Sequence, residues 1–186
     1  MGILSFYDVD KSYVDYLKQV EIKERGFSCV PDIEYDGNRK FLCGVVLEVN
    51  EHKYYVPVTS YKTKQSENIL IVIGKDKHSN VKGSLRFNYM FPVPENCITE
   101  RIIKNEPDSG RRIFLNAQLR FCISNAKTIQ NQAKRTYLIV TRELNEGLLR
   151  NSCMFKLLET ACADYEANLR AKTTKTYMKR INENYP

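Results

Sequence analysis

Histidine is scarce in this 186-residue sequence, which contains only His52 and His78. The two lie in different segments, so they form neither a convincing metal site nor an adjacent acid–base pair. We therefore expect chemistry that uses no tightly bound metal and no cofactor. The sequence also lacks a C-x-x-C pair, and several of its six cysteines fall on positions predicted to be buried. This pattern favours free thiols in a reducing cytosol over a disulfide framework.

Long apolar runs are missing as well. Every run is far shorter than the roughly 20 residues that span a bilayer, and the first residues lack the pattern of a secretory signal. We expect a soluble, cytoplasmic protein with no membrane partner. No linker divides the sequence, so it should form a single domain over residues 1–186, in which the basic segment 172–186 frays.

Positive charge exceeds negative charge. Lysine and arginine total 29 against 22 aspartate and glutamate residues, which gives a net charge of +7. An excess of this size is compatible with a phosphate-bearing partner but does not require one.

Strand-like patterns fill most of the first 110 residues. They predict a strand at Ser5–Val9, a hairpin of Phe41–Val49 and Lys53–Val58, and further strands at Ile69–Ile73 and Ser84–Phe87. Gly44 weakens the first hairpin strand unless a bulge or a close backbone approach uses its missing side chain. Pro57 cannot donate to a ladder, so pairing should fail near it. Segment 21–39 has no sustained periodicity and is predicted to be a long loop.

Helical periodicity appears after the first strand, where Asp10 can cap a helix, and again after Gly110. There, apolar residues at three- and four-residue spacing, with Phe114 among those that widen the stripe, predict one long core-facing helix. Thr136–Leu144 is either a strand or a second helix, and Ser152 can cap a final helix. Together the elements predict an α+β fold, with helices from both ends of the sequence packed on one twisted, mostly antiparallel sheet.

Two hydroxyls and an ammonium group stand where the second hairpin strand ends, in the run Thr59-Ser60-Tyr61-Lys62. By itself this run is more typical of a turn whose hydroxyls satisfy local backbone groups. The residue patterns alone therefore support no more than a basic α+β domain.

Four sequence blocks in a fixed order point further: FLCGVVLEVNEHKYYVPVTSYK, GSLRFNYMFPVP, RRIFLNAQLRFCISNAKTI and CMFKLLETACADY. In this order they resemble the ToxN/AbiQ family, the toxin endoribonucleases of type III toxin–antitoxin systems. The likeness extends from SFYDVDKSYVDYL to about Tyr165 and leaves out the insert at 21–38 and the segment after Leu169. It implies a compact, highly twisted, mostly antiparallel sheet with flanking helices, similar to the Kid and MazF toxins.

The same resemblance implies a function. Members cleave cellular or phage RNA without a metal and leave 2′,3′-cyclic phosphate and 5′-hydroxyl ends. They are inhibited by a small pseudoknot RNA antitoxin, which the toxin cuts from its own precursor and holds in a closed protein–RNA hetero-oligomer. The family's T-S-x-K pattern matches Thr59, Ser60 and Lys62, and its lysine before the G-hydrophobic-V strand matches Lys40. A family tyrosine falls near Tyr35, where the insert disturbs the alignment.

Attack by the 2′-hydroxyl needs a proton acceptor, positive charge for the phosphorane and a proton donor for the departing 5′-oxygen. Lysines are protonated at neutral pH unless burial or a neighbouring charge intervenes, so Lys62 suits the stabiliser or the acid better than the base. Thr59 and Ser60 can donate to non-bridging oxygens or relay a proton. The base is left open, because His52 is predicted in the hairpin turn and His78 on an RNA-facing surface.

RNA binding requires further cationic and aromatic side chains. The sequence offers Lys64, Arg86, Tyr61 and a polar helix stripe that includes Arg112, Arg120 and Lys127, although a basic stripe is more often a solvated face. Two alternatives to an enzyme stay open: a non-catalytic RNA-binding module on the same fold, and a protein-binding domain that carries no RNA.

Overall fold

The computed structural model describes residues 3–35, 38–74 and 80–184, with side chains except at 35, 38, 39 and 172–184. Within these ranges the elements are β1 (Ser5–Val9), α1 (Lys11–Arg25), β2 (Glu34–Tyr35), β3 (Asn38–Arg39), β4 (Leu42–Val49), β5 (His52–Thr59), β6 (Asn68–Val72), β7 (Val81–Arg86), β8 (Phe91–Pro92), β9 (Ile98–Glu100), α2 (Ser109–Ser124), α3 (Ala126–Thr141), α4 (Glu146–Arg150) and α5 (Phe155–Asn184).

One antiparallel sheet organises the molecule. Its strand order is β6-β7-β5-β4-β1-β9, and the short β8 also pairs with β5. Helix α1 packs on α5, while α3 packs on β4 and α2 on β6 and β1. Large aromatic side chains fill the core between the layers, among them Phe6, Tyr13, Tyr54, Phe87 and Phe155. The predicted α+β fold is confirmed.

The central hairpin forms as predicted, with β4 and β5 joined at Asn50 and Glu51, whose φ angles are 48° and 65°. The pairing register shifts between Gly44 and Leu47. A Cβ on Gly44 would lie only 2.2 Å from Cδ1 of Tyr55. Gly44 therefore provides both features that the sequence left open, a bulge and a close approach between the strands.

Strand β5 changes its partner at its end. Pairing with β4 ends near Pro57, as predicted, where Pro57 faces Leu42 and the Val58 N–H donates to the Phe41 carbonyl. The strand nevertheless continues, because its last two residues pair with β7. Thr59 thus leaves the sheet held by a second strand.

Helix α1 is longer than its apolar pattern indicates. It ends at Arg25, where Gly26 with φ 83° donates its N–H to the Ile22 carbonyl. The long loop predicted from residue 21 is therefore wrong for its first five residues. An inward-facing glutamate, Glu21, hides the helical period, since it is fully buried and its carboxylate accepts the backbone N–H groups of Cys29 and Met154.

The long helix predicted after Gly110 is two helices. Asn125, with φ −111° and ψ 17°, separates α2 from α3, and its side chain donates to the Phe121 carbonyl at 2.8 Å. Asparagine competes for backbone hydrogen bonds in this way and so favours helix ends. The ambiguous segment Thr136–Leu144 is mostly the second half of α3.

The C-terminal third also differs from expectation. The short α4 was not predicted, and Ser152 does not cap α5, because its hydroxyl donates to the Leu148 carbonyl at 2.6 Å. Helix α5 continues to Asn184, so the frayed segment expected at 172–186 is helical as far as the structure describes it. Neither glycine nor proline interrupts the sequence between Phe155 and Asn184, which allows the helix to propagate. No helix in the described ranges is long and apolar enough to cross a membrane.

Candidate active site

The end of β5 places two hydroxyl side chains at the rim of an open cavity of about 520 Å³. Thr59 is half-buried and Ser60 is exposed. We call this depression the Lys40 cavity; its lining residues are Pro31, Asp32, Lys40, Phe41, Val58, Thr59, Ser60, Tyr61, Arg86 and Tyr89. The predicted hydroxyl pair and the predicted lysine therefore share one cavity.

Lys40 lines this cavity from a position two residues before β4. Its own N–H donates to the Ile33 carbonyl at 2.7 Å, which closes the small β2–β3 hairpin. The next residue, Phe41, accepts the N–H of Val58, so Lys40 lies across from the end of β5. The expectation that Lys40 and Ser60 lie at the same end of the sheet is confirmed.

A buried serine fixes the Thr59 hydroxyl. The Ser84 hydroxyl donates to the Tyr61 carbonyl at 2.8 Å and lies 3.2 Å from the Thr59 hydroxyl. Because the only proton on Ser84 is already used, Thr59 must be the donor between the two side chains. Thr59 is thus tied inward, whereas Ser60 presents an exposed hydroxyl.

Arg86 is held between two aromatic rings. Its guanidinium carbon lies 4.8 Å from the ring centre of Tyr61 and 4.3 Å from that of Tyr89, and its Nη2 donates to Gln65 and to the Tyr89 hydroxyl. No carboxylate among the described residues forms an ion pair with it. A preorganised cation that lacks a carboxylate partner is suited to bind an anion that enters the cavity.

One acid lines the Lys40 cavity. Asp32 pairs with Lys18, and this hydrogen bond, together with the nearby charges of Lys18 and Lys40, lowers the pKa of the Asp32 carboxyl. The carboxylate is therefore ionised at neutral pH. It can hold a lysine in place or accept a proton.

The other residues considered for catalysis in the sequence are Lys62, Tyr35, His52 and His78. Lys62 is exposed two residues beyond Ser60 and does not line the cavity. Tyr35 pairs through its backbone with Asn38, and its side chain lies outside the described residues. His52 begins β5 at the end opposite to Thr59, and His78 lies outside the described ranges.

The predicted RNA-binding residues do not form one surface. Tyr61 and Arg86 line the Lys40 cavity, but Lys64 is exposed outside it, and its ammonium donates to the Asn68 carbonyl. The helix stripe is divided between α2 and α3, and the three of its cations that were predicted to bind RNA do not line the cavity: Arg112, Arg120 and Lys127. Arg112 donates to the Glu106 carbonyl at 2.7 Å, whereas Arg120 and Lys127 are exposed.

The sequence analysis did not identify Ser84 or Asp32. Both become apparent only from strand register and loop packing, since a serine before Leu85 and an acid after Pro31 carry no local signal. All six cysteines are free and five of them are buried. Within the described ranges, no three histidine, cysteine or acidic side chains are grouped to hold a metal ion.

Comparison with known proteins adds to this geometry. Residues 5–163 match the family described as Toxin ToxN, type III toxin–antitoxin system. Endoribonuclease ToxN of Pectobacterium atrosepticum is 27% identical over 171 residues, which cover 87% of this chain and 94% of that protein. Endoribonuclease AbiQ of Lactococcus lactis subsp. lactis is 26% identical over 172 residues, with coverage of 87% and 89%.

Solved structures show the same fold. AbiQ, a lactococcal anti-phage endoribonuclease of the type III toxin–antitoxin system, gives a TM-score of 0.74 at 25% identity and covers 89% of this chain and 99% of its own. A structure from a type III system in which a non-coding RNA pseudoknot selectively inhibits the toxin gives a TM-score of 0.76 at 24% identity, again covering 89% and 99%. At this level of identity the second likeness concerns the fold.

Proposed function

This chain belongs to the ToxN family of toxins from type III toxin–antitoxin systems, and we propose that it is an endoribonuclease whose active site is the Lys40 cavity. The observation that carries the proposal is that Thr59, Ser60 and Lys40 line one cavity at the end of β5. Relatives with matching coverage are named endoribonucleases.

The reaction is a transesterification that needs no metal. The 2′-hydroxyl attacks the adjacent phosphorus, the bond to the 5′-oxygen breaks, and the products carry a 2′,3′-cyclic phosphate and a 5′-hydroxyl. The exposed Ser60 hydroxyl donates to a non-bridging oxygen, while Lys40 and Arg86 stabilise the negative charge that develops there. Lys62, on a flexible stem beside Ser60, protonates the leaving 5′-oxygen.

Thr59 and Asp32 complete the set. The Thr59 hydroxyl is committed to Ser84 and acts by fixing the strand end that presents Ser60. Asp32, ionised beside Lys40, helps to hold that lysine in place, and the 2′-hydroxyl proton leaves to solvent, to which the cavity is open. Tyr35 is proposed to contact the substrate from the β2–β3 hairpin.

The partner that holds the toxin inactive is a small RNA. A non-coding RNA pseudoknot inhibits the toxin of the structurally similar type III system, and we extend this to a cognate antitoxin RNA for the present chain. The toxin cuts this RNA from its precursor, the two form a closed hetero-oligomer in the cytoplasm, and the released toxin cleaves cellular or phage RNA. Lys64, Arg112, Arg120, Lys127 and Tyr61 remain predicted RNA contacts.

Cleavage of a mixed-sequence RNA pool in the presence of EDTA tests the proposal. Wild-type protein should produce fragments with 2′,3′-cyclic phosphate ends. Ser60→Ala should lower kcat by about 100-fold, in line with the loss of one preorganised donor, and Lys62→Ala should lower it by about as much through loss of the general acid. Ser60→Ala should bind the pool with unchanged affinity, Lys62→Ala should lose no more than one cationic contact with RNA, and Lys104→Ala, which removes an exposed lysine outside the cavity, should behave as wild type.

Three outcomes would contradict the proposal in different ways. Wild-type protein that binds RNA but does not cut it would be a non-catalytic RNA-binding module. Protein that neither binds nor copurifies with RNA would be a protein-binding domain. Normal cleavage by both variants would place the active site elsewhere. Sequencing the RNA that copurifies with the catalytically inactive protein should identify the antitoxin.

A further inference from the structure

A second open cavity, of about 360 Å³, lies against the same strand end. We call it the Phe114 cavity; its lining residues are Phe41, Val58, Thr59, Ser60, Lys82, Arg111, Phe114, Leu115 and Gln118. The first four of these also line the Lys40 cavity, and the two cavities have no other residue in common. The candidate catalytic hydroxyls therefore stand on a wall between two depressions.

The side chains that are particular to the Phe114 cavity suit a nucleotide. Phe114 is 38% exposed, although its place in the apolar stripe predicts a core position. Two cations flank it: Lys82, which has no ion-pair partner among the described residues, and Arg111, whose Nε pairs with Glu106 at 3.2 Å. An open aromatic face beside cations is the usual combination for stacking a base and contacting its phosphate.

The floor of this cavity is fixed. Gln118 is 3% exposed, and its Nε2 donates to the Lys82 carbonyl at 3.2 Å, so α2 is tied to β7 directly behind Thr59. Ordinary packing between a helix and a sheet would bury Phe114 against the strands. Instead, its ring lines an open space that extends to Ser60, one of the four residues that the two cavities share.

A scissile phosphodiester always joins two nucleosides, one on each side of the reacting groups. On the premise of the proposed function, we propose that the Phe114 cavity binds the base of one nucleotide that flanks the cut, by stacking on Phe114, while the Lys40 cavity holds the nucleotide on the other side. Phe114 is then a specificity-determining residue for one flanking position only.

Phe114→Leu tests this assignment, because leucine keeps the apolar bulk but removes the π face. On a short RNA substrate the variant should raise KM about tenfold, the size expected for the loss of one stacked base, with little change in kcat. In a mixed-sequence pool the base frequencies should change on one side of the cut and stay as in wild type on the other. Phe114→Tyr should restore both properties.

Ile113→Leu is the matched control, since Ile113 is the neighbouring exposed apolar residue on α2 and does not line the cavity. The assignment is overturned if Phe114→Leu keeps the wild-type KM and both base frequencies, or if both flanking positions change equally. In these cases the wild-type protein still cleaves RNA, so failure of the subsite is distinct from failure of the proposed function, in which wild type cuts nothing.

Discussion

A Cβ placed on Gly83 would lie 2.4 Å from the carbonyl oxygen of Thr59. Gly83 precedes Ser84, the β7 residue that pairs with Thr59, and its φ of 146° belongs to a region that side-chain-bearing residues rarely adopt. The contact allows β7 to approach the strand end that carries the candidate hydroxyls. Any side chain at position 83 must push the two strands apart.

Gly83→Ala should therefore destabilise the protein by at least about 2 kcal/mol, because overpacking and backbone strain add. The loss of kcat should exceed what the loss of stability alone would cause, because the displaced segment Thr59–Ser60 carries the candidate hydroxyls. Urea unfolding and kcat at a temperature where the variant is folded would measure the two effects. Gly147→Ala is the control: its Cβ would meet nothing closer than Asn145 Oδ1 at 3.5 Å. Equal stability of the two variants would argue against the close approach.

Thr59 offers a test of positioning against chemistry. Because its hydroxyl donates to Ser84, Thr59→Val should loosen the strand end and lower kcat about tenfold, whereas Thr59→Ser should retain most activity. Ser84→Ala removes the same contact from the other side and should have a similar effect. A double-mutant cycle measures the coupling. Additive losses in Thr59→Val/Ser84→Ala would show that the two hydroxyls act separately.

Arg86 should matter through the fixed geometry of its guanidinium. Arg86→Lys keeps the charge but loses the planar stack between Tyr61 and Tyr89, so we expect RNA cleavage to fall by at least about tenfold. Arg86→Gln also removes the charge. It should therefore make the slope of the logarithm of RNA affinity against the logarithm of salt concentration shallower by about one. Affinity titrations between low and high salt would measure the slope. If Arg86→Lys is fully active, the stacked geometry is not needed.

The charge of Glu159 should make the folding stability of the protein depend on pH. Burial opposes its charge, but hydrogen bonds from Tyr137, Lys156, Tyr54 and Asn50 outweigh this effect and lower the pKa of the carboxyl. The resulting stabilisation is complete above the unfolded pKa, near 4.3, and is lost as the pH falls through the lower folded pKa.

Replacing this carboxylate should remove that dependence. Glu159→Gln should cost about 1–3 kcal/mol at pH 7, with a difference from wild type that shrinks as the pH falls below about 4. Glu166→Gln, on the same helix but in a surface pair with Arg170, should change stability by less than about 0.5 kcal/mol. Urea unfolding between pH 3 and pH 7 would check both. A constant difference across this range would mean that the carboxylate charge is not what stabilises the network.

The sequence was informative where side-chain period and strand length decide the structure. It predicted the β4–β5 hairpin, a bulge or close approach at Gly44, and the location of Lys40 and Ser60 at the same end of the sheet. Each of these follows from local pattern and antiparallel pairing. It failed at Glu21, whose buried charge interrupts an apolar period and is satisfied by Arg25 one turn on, by Ser28 and the Cys29 N–H, and by the Met154 N–H far along the chain. Only the contact from residue 154 has no local signature, because it depends on how α5 packs against α1.

Phe114 shows the second kind of failure. Its spacing places it on an apolar helix stripe, and spacing alone cannot distinguish a residue that is buried, such as Leu115 at 2% exposure, from an edge residue such as Phe114 at 38%. Where the edge lies depends on how α2 crosses the sheet and on the break at Asn125. Both are tertiary features that the local pattern does not encode.

Near Pro57, β5 changes its partner from β4 to β7. This change also affects how the site responds to heating and to a bound RNA. The backbone of Thr59 belongs to the β5–β7 ladder, where amide hydrogens exchange only when strands separate, whereas Ser60 and the segment towards Gln65 lie outside it. Motion of the lysine-bearing loop therefore breaks contacts such as those of Ser84 with the Tyr61 carbonyl and of Lys64 with Asn68, and it leaves the ladder hydrogen bonds intact. On the proposed function, we expect RNA to enter and leave while the sheet stays closed, and turnover to persist up to the temperature at which the whole domain melts.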